Sequence, residues 1–253
     1  MDSRDPGAVP AASRPVPVET EVKMAIQGRE DLLRLLAVLP PPRRWGMQLN
    51  CYLDTPEGDF AARGASLRVR VTPDHARLTW KVRRDQRHGT FRAEEIEIPV
   101  PRDRAVRWVR CQEDLDLRAF PEFGPVRELA GARPLRVTLW SLTRRAICDT
   151  PFHVTIEVDE TVFPDGFRDY EVEAEHDDPG LARQAIAHYG RLAGVRLRPQ
   201  RQTKHARAFR HRGPRDFPIP EGDPAGCMPA GWESPEGWVV PGTDRGPEGA
   251  AGD

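Results

Sequence analysis

Charged and apolar residues alternate along almost every segment of this chain that has the composition of a β-strand. In the first such segment, VETEVKM at 18–24, Glu19, Glu21 and Lys23 share one strand face, because side chains alternate with a period of two. Carboxylates are costly to bury against a hydrophobic core. The charged face of this strand is therefore predicted to contact either water or a charged interior.

The same alternation recurs in further segments, and the sign of the charge differs between them. Acidic pairs occur at Glu95 and Glu97, Glu157 and Asp159, and Glu171 and Glu173, whereas Arg68, Arg70 and Lys81 supply basic residues. An open sheet with one wet face would explain a charged face on any single strand. The segregation of acids and bases instead favours a barrel with a polar lumen, in which an acidic wall binds a metal and a basic wall binds a polyanion.

We predict an α+β fold, a closed antiparallel eight-stranded β-barrel (a tunnel) with a charged lumen and helices packed outside. The candidate strands are 18–26, 47–54, 66–72, 76–83, 90–100, 136–148, 152–159 and 168–175. A helix is predicted over 28–39, which begins with acids and stops at three prolines, and another over 179–193, where Asp177 or Asp178 is a candidate N-cap. The region 101–134 is predicted to be helical or irregular.

The two ends of the chain differ in composition from its centre. Residues 213–253 contain nine glycines and eight prolines, and two arginines oppose eight carboxylates there. We expect residues 1–17 and this acidic tail to be disordered, which leaves one domain at 18–212. Trp232 and Trp238 would allow a short docking motif in the tail, although a solvated linker is preferred. Because the whole chain carries −1, the tail −6 and residues 1–17 zero, the domain carries +5, which suits an anionic ligand.

Several protein classes are excluded or disfavoured by composition. The 253 residues, 38% of them hydrophobic and 30% charged, contain no run of 18 apolar residues, so a membrane partner is not expected. The N-terminus lacks the apolar region of a secretory signal. Cys51, Cys111, Cys148 and Cys227 show no C-x-x-C spacing, which favours reduced thiols in a cytoplasmic protein over a zinc site.

A series of short motifs in this chain is similar to those of one family. They are E-x-E-x-K at 19–23, Y-L-D-T at 52–55, L-R-V-R at 67–70, L-T-W-K at 78–81, E-I-E at 95–97, T-R at 143–144, E-V-D at 157–159, E-V-E at 171–173 and T-K at 203–204. In this order they resemble the CYTH superfamily, the triphosphate tunnel metalloenzymes named after class IV adenylate cyclase and thiamine triphosphatase. The resemblance covers about residues 18–210.

The resemblance implies a role for each charged position. The metal wall would consist of Glu19, Glu21, Glu157, Asp159, Glu171 and Glu173, whose hard oxygens suit Mg²⁺ or Mn²⁺. The triphosphate would be bound by Lys23, Arg68, Arg70, Lys81, Arg144 and Lys204. Glu95 and Glu97 are expected to orient water or a second metal, and Lys204 is also a catalytic candidate. One departure is Ala93, where the family usually has arginine; a β-bulge would be needed to bring Arg92 to that position.

The function that this resemblance implies is metal-dependent hydrolysis of inorganic triphosphate or a related triphosphate. Class IV adenylate cyclase and thiamine triphosphatase are the alternatives, because one tunnel can host all three. A non-catalytic polyphosphate or nucleic-acid binder is the alternative from another class. The basic stretch at 196–212 has only Phe209 as an aromatic, so nucleic acid is not an expected partner. A triphosphate-containing small molecule is the expected ligand, bound by a monomer or homodimer.

Overall fold

The computed structural model describes residues 16–213. The strands are β1 (Val18–Ile26), β2 (Arg44–Asp54), β3 (Ala65–Val71), β4 (Ala76–Arg87), β5 (Thr90–Val100), β6 (Arg136–Asp149), β7 (Thr155–Val162), β8 (Arg168–Glu175) and β9 (Arg198–Pro199). The helices are α1 (Arg29–Val38), α2 (Asp59–Ala62), α3 (Arg102–Val109), α4 (Gly124–Ala130), α5 (Pro179–Leu192) and α6 (Lys204–Arg210). Apart from residues 16, 17 and 213, the segments expected to be disordered lie outside the described residues.

Eight of the strands form a closed antiparallel ring in the order β1–β5–β4–β3–β2–β6–β7–β8 and back to β1. The pairing of β1 with β5, in which Val18 lies opposite Glu94 and Val22 opposite Thr90, closes this ring. The two-residue strand β9 adds to β1 outside the ring order. The predicted α+β fold with a closed eight-stranded barrel is therefore confirmed, and the open-sheet alternative is not.

The apolar faces of the strands point outward and are covered by helices. One core packs the outer faces of β2, β3 and β4 against α2, α3 and α4, and it includes Phe60, Trp108 and Phe123. A second core packs β1, β7 and β8 against α1 and α5. The apolar residues of each strand pack in these outer cores. Because side chains alternate along a strand, the residues between them face the lumen. Polar and charged side chains therefore line the inside of the barrel.

The helices begin and end as predicted where the sequence contains a clear capping residue or proline. Helix α5 begins after Asp178, whose carboxylate accepts hydrogen bonds from the backbone N–H of Gly180 and Leu181, as an N-cap does. Helix α1 ends at Val38, just before Pro40 and its neighbouring prolines. The region 101–134 contains α3, two 3₁₀ turns and α4. Strand β7 starts at Thr155 rather than at residue 152, because 151–153 form a turn.

Helix α6 was not predicted, and unlike α1–α5, which cover the outside of the barrel, it packs against the interior. It begins after Thr203, whose hydroxyl accepts from the backbone N–H of Ala206. Its residue Ala208 packs with Tyr52, Leu139 and Phe163 in a small separate apolar cluster. Tyr52 and Leu139 are opposite each other on the inner faces of β2 and β6, so α6 closes the interior at this position. None of the helices within 16–213 is long and apolar enough to cross a membrane.

Candidate active site

Closure of the barrel brings three carboxylates together at the β1–β5 seam. Carboxylate oxygens of Glu19, Glu21 and Glu95 all lie within 4.8 Å of one another, and we call this group the first triad. The ammonium Nζ of Lys81 on β4 lies 3.3 Å from Glu19, 2.8 Å from Glu21 and 2.7 Å from Glu95. The ammonium of Lys81 is thus shared by all three acids of the first triad.

The electrostatics of the first triad favour an added cation. Burial and a hydrogen bond shared with Glu95 raise the pKa of Glu19 to about 8. Burial also opposes ionisation of Glu21, but Lys23 and Lys81 hold the pKa of that carboxyl below its usual range. The Glu19 carboxyl therefore favours its protonated form at neutral pH, because burial and Glu95 together outweigh the effect of Lys81. Hard carboxylate oxygens at this spacing are the donor set of Mg²⁺ or Mn²⁺.

A second cluster of carboxylates lies on the neighbouring strands β7 and β8. Oxygens of Asp159, Glu171 and Glu173 are again within 4.8 Å of one another, and all three residues are buried; we call them the second triad. The ammonium of Lys204, the first residue of α6, lies 2.5 Å from Asp159, 2.5 Å from Glu171 and 2.7 Å from Glu173. The prediction that Lys204 points inward is confirmed, and it occupies the centre of the second triad.

Lys23 connects the two triads. Its ammonium lies 2.6 Å from Glu21 of the first triad and 2.9 Å from Glu173 of the second. The residue is buried, and Glu173 and Glu21 more than offset its desolvation, so its pKa is raised and it stays charged. The predicted metal residues of β1, β7 and β8 therefore belong to one continuous acidic surface, as expected from their strand faces.

The structure corrects the sequence interpretation of β6. Arg144 lies opposite Glu160 and shares its strand face with Leu142, which belongs to an outer core, so it does not point into the lumen. The next residue, Arg145, donates to Asp159 at 2.7 and 2.6 Å and to Glu173 at 2.9 Å. Apolar residues occupy both faces of β6 in L-W-S-L, so alternation alone did not identify which arginine faces inward.

Arg145 also forms an ion pair with Glu157, which has a different environment from the second triad. Burial is the main reason that the pKa of Glu157 is raised; Arg145 opposes this shift, and repulsion from Glu173 and Asp159 adds to it. Glu157 is therefore near the second triad but is not one of its members.

Two further charged residues of the site were not predicted. Arg207, one turn after Lys204 on α6, donates two hydrogen bonds of 2.7 Å to Glu171 and also contacts Asp169. Glu175 lies opposite Glu21 in the β1–β8 pairing, and burial and Glu21 raise its pKa. Glu175 continues the alternation of Glu171 and Glu173 and could have been found from it. Arg207 required recognition of α6 as a helix, because only a helix places residues three apart on one face.

The basic wall lies on β3, and its two arginines, Arg68 and Arg70, differ in whether a carboxylate balances their positive charge. Arg68 has a guanidinium nitrogen 3.6 Å from Glu97, whereas Arg70 donates from Nε to the amide oxygen of Asn50 at 3.0 Å. Within residues 16–213, no carboxylate is close enough to form an ion pair with Arg70. Burial, and then repulsion from Arg68 and Arg145, lower the pKa of Arg70 to about 10. This crowded positive charge is suited to an anion.

The remaining predicted positions lie around β5. Glu97 accepts hydrogen bonds from Thr79 at 2.9 Å and from Arg77 at 3.1 Å, so it faces the basic wall rather than the first triad. Ala93 lies opposite Glu19, whereas Arg92 is exposed on the other face of β5. A register shift does occur nearby, between Arg83 and Asp85 of β4, but it does not turn Arg92 inward.

The Y-L-D-T motif forms a structural turn. The Asp54 carboxylate accepts from the backbone N–H groups of Thr55 at 2.8 Å, Phe60 at 3.0 Å and Ala61 at 3.0 Å. These bonds satisfy donors at the start of α2 and fix the exit of β2. The motif therefore holds the barrel frame and does not contact the triads.

Comparison with known proteins identifies the family. A family model described as the CYTH domain matches residues 18–203. The protein HpAC1 from Hippeastrum, studied as an adenylyl cyclase and having a dominant triphosphatase activity, superposes with a TM-score of 0.69 at 21% identity, covering 74% of this chain and 93% of that one. A Bacillus halodurans protein named as an adenylate cyclase superposes with a TM-score of 0.56 at 16% identity, covering 76% and 98%. A search of the curated proteins finds no match.

Proposed function

The chain belongs to the CYTH domain family, and from that premise we propose that it hydrolyses inorganic triphosphate or a closely related triphosphate compound. The observation that carries this proposal is the division of one lumen into two carboxylate triads and a basic wall. Arg70 on that wall is half-buried, is crowded by Arg68 and Arg145 and, among residues 16–213, has no carboxylate ion-pair partner. A polyanion and a cation together would satisfy both walls.

The acidic side would hold the metal that this family requires. The first triad fits Mg²⁺ or Mn²⁺ because its oxygens are close together and because burial and Glu95, which raise the pKa of Glu19, would be opposed by a bound cation. The second triad has the same donor set, but Lys204 and Arg145 already neutralise it. When bound, the metal would neutralise phosphate oxygens and lower the pKa of water.

The chain's own cations would bind and orient the triphosphate. Phosphoryl transfer relies mainly on positioning and charge neutralisation, so several buried cations around one substrate suffice without a covalent intermediate. The proposed binding residues are Lys23, Arg68, Arg70, Lys81, Arg145 and Lys204, with Arg145 in the place first given to Arg144. Glu95 and Glu97 are proposed to orient the attacking water, since Glu95 belongs to the first triad and both carboxylates lie within 4.0 Å of the Arg68 guanidinium.

Two lysines are proposed to change partners when substrate binds. In the structure, the ammonium groups of Lys81 and Lys204 each contact the three carboxylates of one triad. A metal at a triad would repel the ammonium beside it, and phosphate oxygens would attract it. Each lysine therefore acts as an internal counterion before binding and as a phosphate ligand afterwards.

We also propose that the protein acts in the reducing cytoplasm. Cys51 and Cys148 are free and buried, and burial raises the pKa of both thiols. Such thiols are unreactive and form no disulfide with each other.

Phosphorus NMR of the reaction products tests the proposed activity. With Mg²⁺ or Mn²⁺, inorganic triphosphate should give orthophosphate and pyrophosphate, and excess EDTA should stop the reaction. Cyclic AMP and pyrophosphate from ATP, with no cleavage of inorganic triphosphate, would show a cyclase instead. Binding of triphosphate without turnover of either compound would show a non-catalytic polyanion binder.

A further inference from the structure

An uncharged part of the lumen adjoins the basic wall. Across three neighbouring strands, Arg70 of β3 lies opposite Asn50 of β2, and Asn50 lies opposite Ser141 of β6. Directly paired residues on one face have Cβ atoms about 5 Å apart. We call these three residues the lumenal row. It carries one positive charge and no carboxylate.

Ser141 points into the lumen and lacks a hydrogen-bond partner. Its neighbours along β6, Trp140 and Leu142, belong to the outer core, so alternation places Ser141 on the inner face. The residue is 0% exposed, and its Oγ has no hydrogen-bond partner among residues 16–213. Burying a hydroxyl without a hydrogen-bond partner is unfavourable, which indicates that a ligand completes the hydrogen bonding of Ser141.

The side chain of Arg70 extends over Asn50 of β2, in the direction of Ser141 on β6. Its Nε donates to Asn50 Oδ1 at 3.0 Å, so the side chain extends over β2, away from β4. The same buried region holds a second unsatisfied donor, Nε of Arg68. The two unpartnered groups on this side of the lumen, the Ser141 hydroxyl and Nε of Arg68, can both donate, and beside the positive charge of Arg70 they suit an anion.

The next residues along the same face show the contrast. Thr143 lies two residues beyond Ser141, and its hydroxyl is hydrogen-bonded to the hydroxyl of Thr161 at 3.0 Å. Both threonines are buried. Thr143 is therefore satisfied within the protein, whereas Ser141 is not. This difference between two hydroxyls on one strand face is the observation that singles out Ser141.

We propose that Ser141 is a further substrate-binding residue, whose hydroxyl donates to an oxygen of the unesterified terminal phosphoryl group while Arg70 binds the same group. This inference rests on the proposed triphosphate function and assigns one end of the substrate to the lumenal row. A terminal phosphoryl group has three oxygens that accept hydrogen bonds, enough for both residues at once. The opposite end of the triphosphate then faces the triads.

The test compares Ser141→Ala with Thr143→Val and Arg70→Ala in the full chain. Titration calorimetry with inorganic triphosphate in EDTA measures binding without turnover, and steady-state kinetics with Mg²⁺ measures KM and kcat. Ser141→Ala should weaken triphosphate binding about 10-fold or more, since hydrogen bonds to charged groups are worth about 1.5–3 kcal/mol. Its KM should rise more than its kcat falls, because the bond forms in the ground state.

Stability provides the second readout. Ser141→Ala should leave the ligand-free melting temperature equal or higher, because it removes an unsatisfied hydroxyl. Thr143→Val should lower the melting temperature, because Thr161 loses its partner, and should leave triphosphate affinity unchanged. Wild-type affinity in Ser141→Ala, together with weak binding by Arg70→Ala, would overturn this inference alone. Wild-type affinity in both variants would overturn the basic wall as a phosphate site, and with it the proposed function.

Discussion

The role of each arginine in and around the barrel depends on which charged groups surround it. Arg144 and Arg145 are adjacent, yet one lies opposite Glu160 on the outer face and the other bridges Asp159 and Glu173 in the interior. Arg70 differs again, because its nearest charged neighbours include other arginines. The same residue type thus acts as a structural partner, a counterion of the acidic wall or an uncompensated anion site.

Arg70→Ala should lower kcat/KM for triphosphate by about 30- to 1000-fold, the effect of losing roughly 2–4 kcal/mol of transition-state stabilisation. The ligand-free melting temperature should be equal or higher, because burial and neighbouring arginines disfavour this charge in the empty protein. Triphosphate should raise the melting temperature of the wild type and not of the variant. Differential scanning calorimetry and steady-state kinetics measure both effects.

Arg84→Ala is the matched control, since Arg84 is an exposed arginine paired with Glu94 at 2.6 Å on the outside of the barrel. Such a surface pair contributes about 1 kcal/mol or less. Its kcat/KM should stay at the wild-type value. A loss of stability without a loss of activity in Arg70→Ala would mean that Arg70 supports the fold and does not bind phosphate.

Helix α6 is the element that most alters the site. Without it the second triad would be neutralised only from the strands, by Lys23 and Arg145; with it, Lys204 and Arg207 bring two more charges from one short helix. The helix is held at its other end by Ala208 against Tyr52 and Phe163. The number of positive charges in the lumen therefore depends on how this seven-residue helix packs.

Lys204→Met should tighten Mn²⁺ binding in the absence of triphosphate, about 10-fold or more, because the ammonium no longer competes for the second triad. Electron paramagnetic resonance of free Mn²⁺ measures this directly. The same variant should lose most of its kcat, since Lys204 is proposed to bind phosphate. Arg210→Met, on the exposed side of α6, should change neither quantity. Equal Mn²⁺ affinity in Lys204→Met and wild type would show that the ammonium does not occupy a metal position.

The whole molecule determines how much charge is confined in one interior. Closure through β1 and β5 brings Glu95 to Glu19 and Glu21, which are 74 or more residues earlier in the chain. Lys81 offsets only part of this crowding, since burial and Glu95 still raise the pKa of Glu19, and a proton or a metal would relieve the remaining repulsion. Stability of the closed barrel should therefore depend on both.

The metal-free protein should lose stability as pH rises from about 5 to 8. The folded state raises the pKa of Glu19 from 4.5 to about 8, so in this window the folded protein binds a proton that the unfolded chain has released. Stability falls with pH wherever the folded state binds more protons. The half-buried His205, whose pKa is lowered by desolvation, has the opposite effect on stability around its ordinary pKa of 6.5, so the interval from pH 7 to 8 is the most informative.

Calorimetry in EDTA across pH 7–8 should show this slope, and saturating Mg²⁺ should reduce it, because the cation replaces the proton. Glu19→Gln should be flatter than the wild type under the same conditions. Identical slopes in Glu19→Gln and wild type would mean that the first triad does not crowd its carboxyls in solution.

The charged lumen and the barrel were predictable because both follow from local pattern. A period of two along each strand determines which residues share a face. The N-cap residue Asp178 likewise predicts where helix α5 begins. The order of short motifs also indicates the family, and alternation along β1, β7 and β8 places their carboxylates on one acidic wall. These features depend only on residues that are close together in the sequence, such as alternating strand positions and a helix cap with its first turn.

The contacts between walls depend instead on register and packing across distant strands. Strand pairing joined Glu95 to the first triad, gave the lumen Arg145 in place of Arg144, and left Arg92 outside despite the nearby bulge. Packing of Ala208 carried α6 into the interior. A one-residue change in register reverses every side chain of a strand, and that register is set by contacts far apart in sequence. The amino-acid pattern therefore supplied the two kinds of wall, and the folded barrel determined which charges meet.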